Sequence, residues 1–218
     1  MIEEKMPLYL FKFGEYEYMK KLYEEGELFF NTIYYFKKLE DENLRGDKNE
    51  NLSHCLQSSS TKIKINNEII YTTGSIKIYN PYKDNFNFTH IFSMSSLYDE
   101  ETLDFDHRIK QFGDSSIIIY NIQEFFFRLK KGLDKIIDIG YLESFNYNKV
   151  KYYDLDIHHG KLDVFSKSHK YSFQKEWRLG LRLSNNNSEP YSLKIGDLTD
   201  IAKIVKTEDY LNGKIKYY

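Results

Sequence analysis

Apolar and polar positions alternate between two periods along this chain, and the switches mark the elements. Leu8 to Phe13 is apolar and aromatic with Lys12 interposed, a short strand stopped by Gly14. From Glu15 to Glu25 the apolar residues Tyr18, Met19, Leu22 and Tyr23 fall at helical spacing, and Gly26 stands just past the end, so a short helix is predicted. Glu27 to Thr32 returns to strand-like content. Residues 37 to 60 are polar and charged and predict a surface loop with one helical turn.

Further along, two apolar runs flank Asn66-Asn67, a hairpin signal, and Ser75 to Tyr79 alternates again. Thr89 to Met94 and Ser116 to Tyr120 predict two more strands, the second a β-branched run of the buried type. Ile122 to Lys131 predicts a helix burying Phe125, Phe126 and Leu129. Val150 to Tyr153, Trp177 to Leu183 and Tyr191 to Ile195 add strands, and Asp197 to Val205 a final helix or strand. No repeat, linker or low-complexity stretch divides the 218 residues, so one α+β domain over 1–218 with a mostly antiparallel sheet and short helices is expected.

Composition narrows the setting. The 31 Lys and Arg against 33 Asp and Glu give a net charge of -2, so no whole-molecule field draws the chain to polyanions. A local basic patch is still expected from Lys161, Lys167, Lys170, Lys175, Arg178 and Arg182. The single cysteine, Cys55, can close no internal disulfide and completes no Cys-rich zinc site, which points to a reducing, cytoplasmic location. No apolar run has the length of a membrane span, and the acidic opening MIEEKMPLYLFKF lacks a signal-peptide core, so no membrane partner is expected. With 20 Tyr and 16 Phe, aromatic side chains are the main core-builders.

The chemistry-bearing residues centre on Lys175-Glu176-Trp177-Arg178, which holds the sole tryptophan. A strand-borne carboxylate at Glu176 can hold a ribose hydroxyl and stabilise positive charge at a ribosyl carbon. The plainer reading is an ion pair with Arg178, two residues away on the same strand face. Arg45-Gly46-Asp47 offers a planar cation for phosphate and an acid to orient it, or else a solvated turn. Lys12 alternates with Phe11 and Phe13 and so points to the opposite face, into solvent or a cleft. His158-His159 and His169 fit no ligand spacing, and no metal site is expected. The absence of G-x-x-x-x-G-K and G-x-G-x-x-G runs removes the P-loop, kinase and dinucleotide-fold readings.

Four ordered pieces carry a family resemblance: Leu8 to Phe13; Glu25-Gly26-Glu27-Leu28-Phe29-Phe30-Asn31-Thr32 with Phe36; Ile91-Phe92-Ser93; and Phe165-Ser166-Lys167 with Phe173 to Arg178. On them the chain resembles, as a divergent member, the bacterial and phage family known as the domain of unknown function numbered 2971. The strand-helix-Gly-strand opening with a late strand-borne Glu is also similar to the ADP-ribosyltransferase fold. That likeness implies a split antiparallel sheet, NAD or a related nucleotide as ligand, and Glu176 as the catalytic acid. It implies further contacts from Lys12, Thr32 or Asn31, Arg45, Asp47, Ser93 and Arg178, with Phe92 or Tyr34 stacking a ring. The family context implies a toxin, defence or counter-defence role in phage conflict, with an unidentified protein or nucleic-acid acceptor. A non-catalytic nucleotide- or protein-binding module in the same cleft is the alternative reading. A metal-dependent nuclease built on Asp154, Asp163, Lys175 and Glu176 is a third.

Overall fold

In the computed structural model the described residues are 6–39, 47–50, 52–71, 73–80, 89–98, 105–185 and 188–213. In chain order the elements are β1 (Tyr9–Gly14), α1 (Tyr16–Glu25), β2 (Glu27–Thr32), α2 (Ile33–Lys38), β3 (Leu52–Gln57), β4 (Ile63–Ile65), β5 (Glu68–Ile70), β6 (Ser75–Tyr79), β7 (His90–Leu97) and β8 (Ser115–Ile119). They continue with α3 (Ile122–Asp138), β9 (Leu142–Lys149), β10 (Lys151–Tyr153), β11 (Gly160–Lys161), β12 (Ser166–Ser168), β13 (Glu176–Leu183), β14 (Tyr191–Lys194), β15 (Ala202–Lys206) and α4 (Thr207–Leu211). The mixture of helix with a large antiparallel sheet is the α+β class that the sequence predicts.

The opening forms as its periodicity dictates. In α1, Met19 and Leu22 lie one turn apart and are buried, Tyr23 packs partly buried against the core, and the opposite face is solvated. Its C-cap, Gly26, adopts φ 61° and returns its N–H to Leu22 O at 3.1 Å. A Cβ there would sit 1.9 Å from Gly196 O, so this turn needs glycine for space as well as for conformation. In α3 the buried residues Ile122, Phe125, Leu129, Leu133 and Ile136 recur at intervals of three and four. Each contributes roughly 1.5–3 kcal/mol relative to exposure. Asn121 starts the helix by accepting from Glu124 N at 3.1 Å.

Eight strands form the main sheet, and β7 is its pivot. β13 occupies one edge of β7, from Glu176 opposite Ser95 to Leu181 opposite His90. The other edge is shared. β1 pairs there only at Tyr9–Phe11, opposite Leu97–Ser95, and β2 only at Asn31 and Thr32, opposite Ile91 and His90. Both strands then turn away, β1 to β8 and β2 to β14. Phe92, Ser93 and Met94 therefore lack a strand on that edge among the described residues, and a split opens between β1 and β2.

Alternation divides the core into two layers. One face carries Leu10, Phe92, Met94, Trp177, Leu179 and Leu181 against α1 and α3. Phe11, Phe13, Leu97 and Ile118 on the other face pack with Phe105, Ile109, Tyr171, Phe173 and Tyr210, partly from 3-10 turns at His107–Phe112 and His169–Gln174. A smaller sheet of β11, β3 and β6 clusters Leu52 and Cys55 of β3 with Tyr153 and Leu162.

Two departures from the expected elements have tertiary causes. β3, LSHCLQ, lies inside the predicted loop: only Leu52 and Cys55 are buried, and the strand exists because β6 and β11 supply its two ladders. β9, LESFNYNK, is a polar edge strand held by seven register pairs to β13. The Asn66-Asn67 hairpin forms as expected, with φ 48° and 71° at the two turn residues.

Candidate functional site

The site assembles on the sheet face that carries Phe11 and Phe13. Strand alternation puts Glu176 and Arg178 on this face and sends Trp177 into the opposite core, where it meets Phe126 edge-on at 5.5 Å. Just before β13, Lys175 takes a left-handed conformation (φ 44°), and its carbonyl accepts from Ser96 N at 2.9 Å. Glu176 N donates to Tyr152 Oη at 2.8 Å, and Glu176 O accepts from Val150 N at 2.9 Å. The backbone under Glu176 is thereby fixed on both sides.

Both oxygens of Glu176 are fully engaged. Oε1 accepts from Ser93 Oγ at 2.5 Å and from Arg178 Nε at 2.6 Å. Oε2 accepts from Lys167 Nζ at 2.9 Å and from Arg178 Nη2 at 3.3 Å. Four donors use the lone pairs of one carboxylate. Lys167 comes from β12, donates also to Gln174 Oε1 at 2.8 Å and lies 4.9 Å from the Tyr171 ring centre. Arg178 completes its fan with Val164 O at 2.5 Å and Glu50 Oε1 at 2.6 Å. Glu50 arrives from the turn that precedes β3; neither of its oxygens has a hydrogen bond among the described residues, and Oε1 alone makes the ion-pair contact with Arg178.

Charge and burial act on these groups in opposite directions. Burial works against an ionised Glu176, but Arg178 and Lys167, with the hydrogen bonds from Arg178 and Ser93, outweigh it and hold the carboxyl well below the usual range. Burial likewise opposes the charge on Arg178, and Glu176 and Glu50 more than compensate. Glu50 goes the other way. Burial pushes its carboxyl up, and the pull of Arg178 and Lys167 does not cancel that. Burial beside Glu176 also raises the phenol of Tyr152.

A cavity of about 390 Å3 lies over this cluster and runs into the split of the sheet. Its polar lining includes Lys12, Ser93, Glu50, Lys167, Glu176 and Arg178, and aromatic walls come from Phe29, Tyr35, Phe36 and Phe112. Lys12 projects on the face opposite Phe11 and Phe13. Its Nζ donates to Ser93 O at 2.5 Å, in the stretch of β7 that the split leaves open, and stands 4.6 Å from the Phe92 ring centre.

The structure sorts the predicted residues clearly. Glu176, Arg178, Ser93, Lys12, Phe92 and Asn31 line one cavity. Thr32 does not: it is fully buried and its hydroxyl caps α2, accepting from Tyr35 N at 3.2 Å. Asp47 is buried beside the site and closes a turn by accepting from Asn49 N at 2.9 Å. The Tyr34 ring holds the ammonium of Lys38 at 4.1 Å and is not in the cavity wall. Arg45 lies outside the described residues. Asp154 and Asp163 close local turns with Asp156 N and Phe165 N, each at 2.9 Å, and neither lines the cavity.

Three cluster members escaped the sequence reading. Glu50 sits in a polar turn indistinguishable from other loop acids, and nothing local links it to Arg178, 128 positions later by subtraction of their numbers. Lys167 and Gln174 stood in quoted motifs, yet only folding brings them to one carboxylate.

Comparison with protein-family models, with curated proteins and with solved structures returns no match for this chain. Among the described residues no group of three or more His, Cys, Asp and Glu could hold a metal, and no helix is long and apolar enough to cross a membrane.

Proposed function

We propose that this chain is an ADP-ribosyltransferase-like protein that holds NAD or a related nucleotide in the cavity at the split of its sheet. The observation that carries the reading is a strand-borne carboxyl, Glu176, in contact with two buried cations at a cavity of ligand size. When Glu50 is protonated, Lys167 and Arg178 face one negative charge, and Lys12 adds a third cation nearby, which favours an anionic ligand. The aromatic wall supplies faces for a base or a nicotinamide ring.

In this reading Glu176 accepts a ribose hydroxyl and stabilises positive charge at the ribosyl carbon as nicotinamide leaves. Its lone pairs are already taken, so the Ser93 hydroxyl, the one donor there that can rotate away without leaving a buried charge unpaired, gives up its place to the ribose. The same saturation favours a second reading, a nucleotide-binding module without turnover. A divergent place in the family of domain 2971, a cytoplasmic location and a role in phage conflict belong to the proposal as well. They rest on the four sequence motifs and, for location, on the lone buried Cys55.

Melting the protein with NAD and ADP-ribose, and following nicotinamide release by chromatography, tests both readings. At a hundredfold excess over Kd a bound nucleotide stabilises by about 2.7 kcal/mol, which raises the melting temperature by roughly 5–10 °C for a chain of this size. Nicotinamide release that Glu176→Gln abolishes supports the transferase. Binding without release supports the module, and no shift with either ligand refutes both.

A further inference from the structure

Two carboxyls share the Arg178 guanidinium, and only one of them has an oxygen to spare. Glu176 accepts from four donors and stays ionised. Glu50 is 4% exposed and lines the cavity; its Oε1 lies 2.6 Å from Arg178 Nη1 without hydrogen-bond geometry, and its Oε2 has neither ion-pair contact nor hydrogen bond among the described residues. An unpaired carboxyl oxygen out of water costs free energy unless it is protonated or meets a ligand donor. The charged and titratable groups around it are Asp47 on its own turn, Arg178 and Glu176 on β13, Lys167 on β12, and Tyr152 and Tyr153 on β10. Burial raises its carboxyl first, the two cations lower it, and Glu176 and Asp47 raise it again. Environments that push two neighbouring carboxyls apart separate the group that moves a proton from the group that stays charged.

We propose that Glu50 is the proton-exchanging carboxyl of this cavity and takes the proton of a hydroxyl, from water or an acceptor, bound against its open oxygen. For its substrate the inference rests on the nucleotide reading above. The bond between the ribosyl carbon and nicotinamide breaks, and its electron pair leaves with nicotinamide. The hydroxyl oxygen bonds to that carbon, its proton passes to Glu50, and Glu50 later releases the proton to solvent. Glu176 remains ionised and balances the positive charge on carbon.

Two measurements test this. Infrared difference titration of the free protein between about pH 4 and 9 should show a protonated-carboxyl band titrating above the ordinary glutamate value. The band should vanish in Glu50→Gln and persist in Glu176→Gln. With NAD as probe, Glu50→Gln should lower nicotinamide release by about a hundredfold or more and remove the acidic limb of the rate profile, while NAD binds no more weakly than to the parent, since the neutral amide removes a negative charge from the cavity. A band that survives Glu50→Gln overturns the proposal, as does release at the parental rate with its acidic limb intact. If Glu50→Gln does not fold, Glu50→Asp decides: a shifted band and slower release support the role, and an unchanged band and rate refute it. A band assigned to Glu50 in a protein that neither binds nor cleaves NAD supports the proton-exchanging carboxyl and sinks the nucleotide reading.

Discussion

Replacing Arg178 with methionine tests the cluster most directly, since it keeps most of the side-chain length and removes the charge. The guanidinium is almost wholly buried and makes contacts at 2.6 and 3.3 Å to Glu176, 2.6 Å to Glu50 and 2.5 Å to Val164 O. After Arg178→Met, Glu176 retains Lys167 and Ser93, while Glu50 loses its ion-pair contact and keeps only the more distant pull of Lys167 among the described residues. Removing one member of a buried pair costs about 3–5 kcal/mol. Two carboxylates lose the same partner here, so a loss of about 4–5 kcal/mol at pH 7.5 is expected. That is a large share of a typical stability of about 5–15 kcal/mol, and it lowers the melting temperature by roughly 8–20 °C.

The loss carries a pH signature. Burial already raises the carboxyl of Glu50 above its ordinary value, and without Arg178 it moves further up, while that of Glu176 climbs from its lowered value. Between the unfolded value near 4.5 and the raised folded value of Glu50, the folded variant binds more protons than the unfolded chain, so its stability falls as pH rises. The gap between parent and variant should therefore narrow as pH drops from about 7.5 to 5. Urea unfolding followed by the fluorescence of Trp177, the sole tryptophan and buried, reads this out. A loss below about 1 kcal/mol, the range of exposed ion pairs, would refute the reasoning, as would a gap that does not change with pH.

Two further outcomes concern the frame around the cavity. Gly26→Ala should cost at least about 2 kcal/mol, because a Cβ would meet Gly196 O at 1.9 Å on a backbone already at φ 61°; a loss under about 0.5 kcal/mol in denaturant unfolding would show that the contact yields freely. Thr32→Ala should cost about 1 kcal/mol by leaving Tyr35 N uncapped, and an unchanged unfolding midpoint would show that the hydroxyl does not cap α2.

Much of the frame was legible. The helical spacing of α1 and α3, the Gly26 stop, the Asn66-Asn67 turn and the apolar strands β1, β2, β7, β8 and β13 follow from local pattern, because each buries a periodic face. α3 runs on to Asp138, past the predicted end at Lys131, because Gly132, Leu133 and Ile136 continue the buried stripe. β3 and β9 were hidden, since polar strands form where partners supply hydrogen bonds and their own residues hardly signal it. Within the site, the pairing of Glu176 with Arg178 was readable from the two-residue strand period, as was the inward turn of Trp177. Of the two residues read for the second motif, Asn31 lines the cavity, while Thr32, standing ahead of a helix, caps it.

By itself, then, the sequence determined where the helices α1 and α3 and the apolar strands begin, which sides of them are apolar, and that Glu176 and Arg178 share a face. Periodicity is local and needs no knowledge of partners. Only the tertiary structure decided that β1 and β2 leave β7 on either side of Ser93, opening the cavity, and that Glu50 and Lys167 arrive there from other elements. Those decisions depend on burial and on contacts between segments far apart in the chain. It is burial that turns a common surface acid, Glu50, into a carboxyl able to hold a proton, while its neighbour Glu176, held by two cations, stays charged.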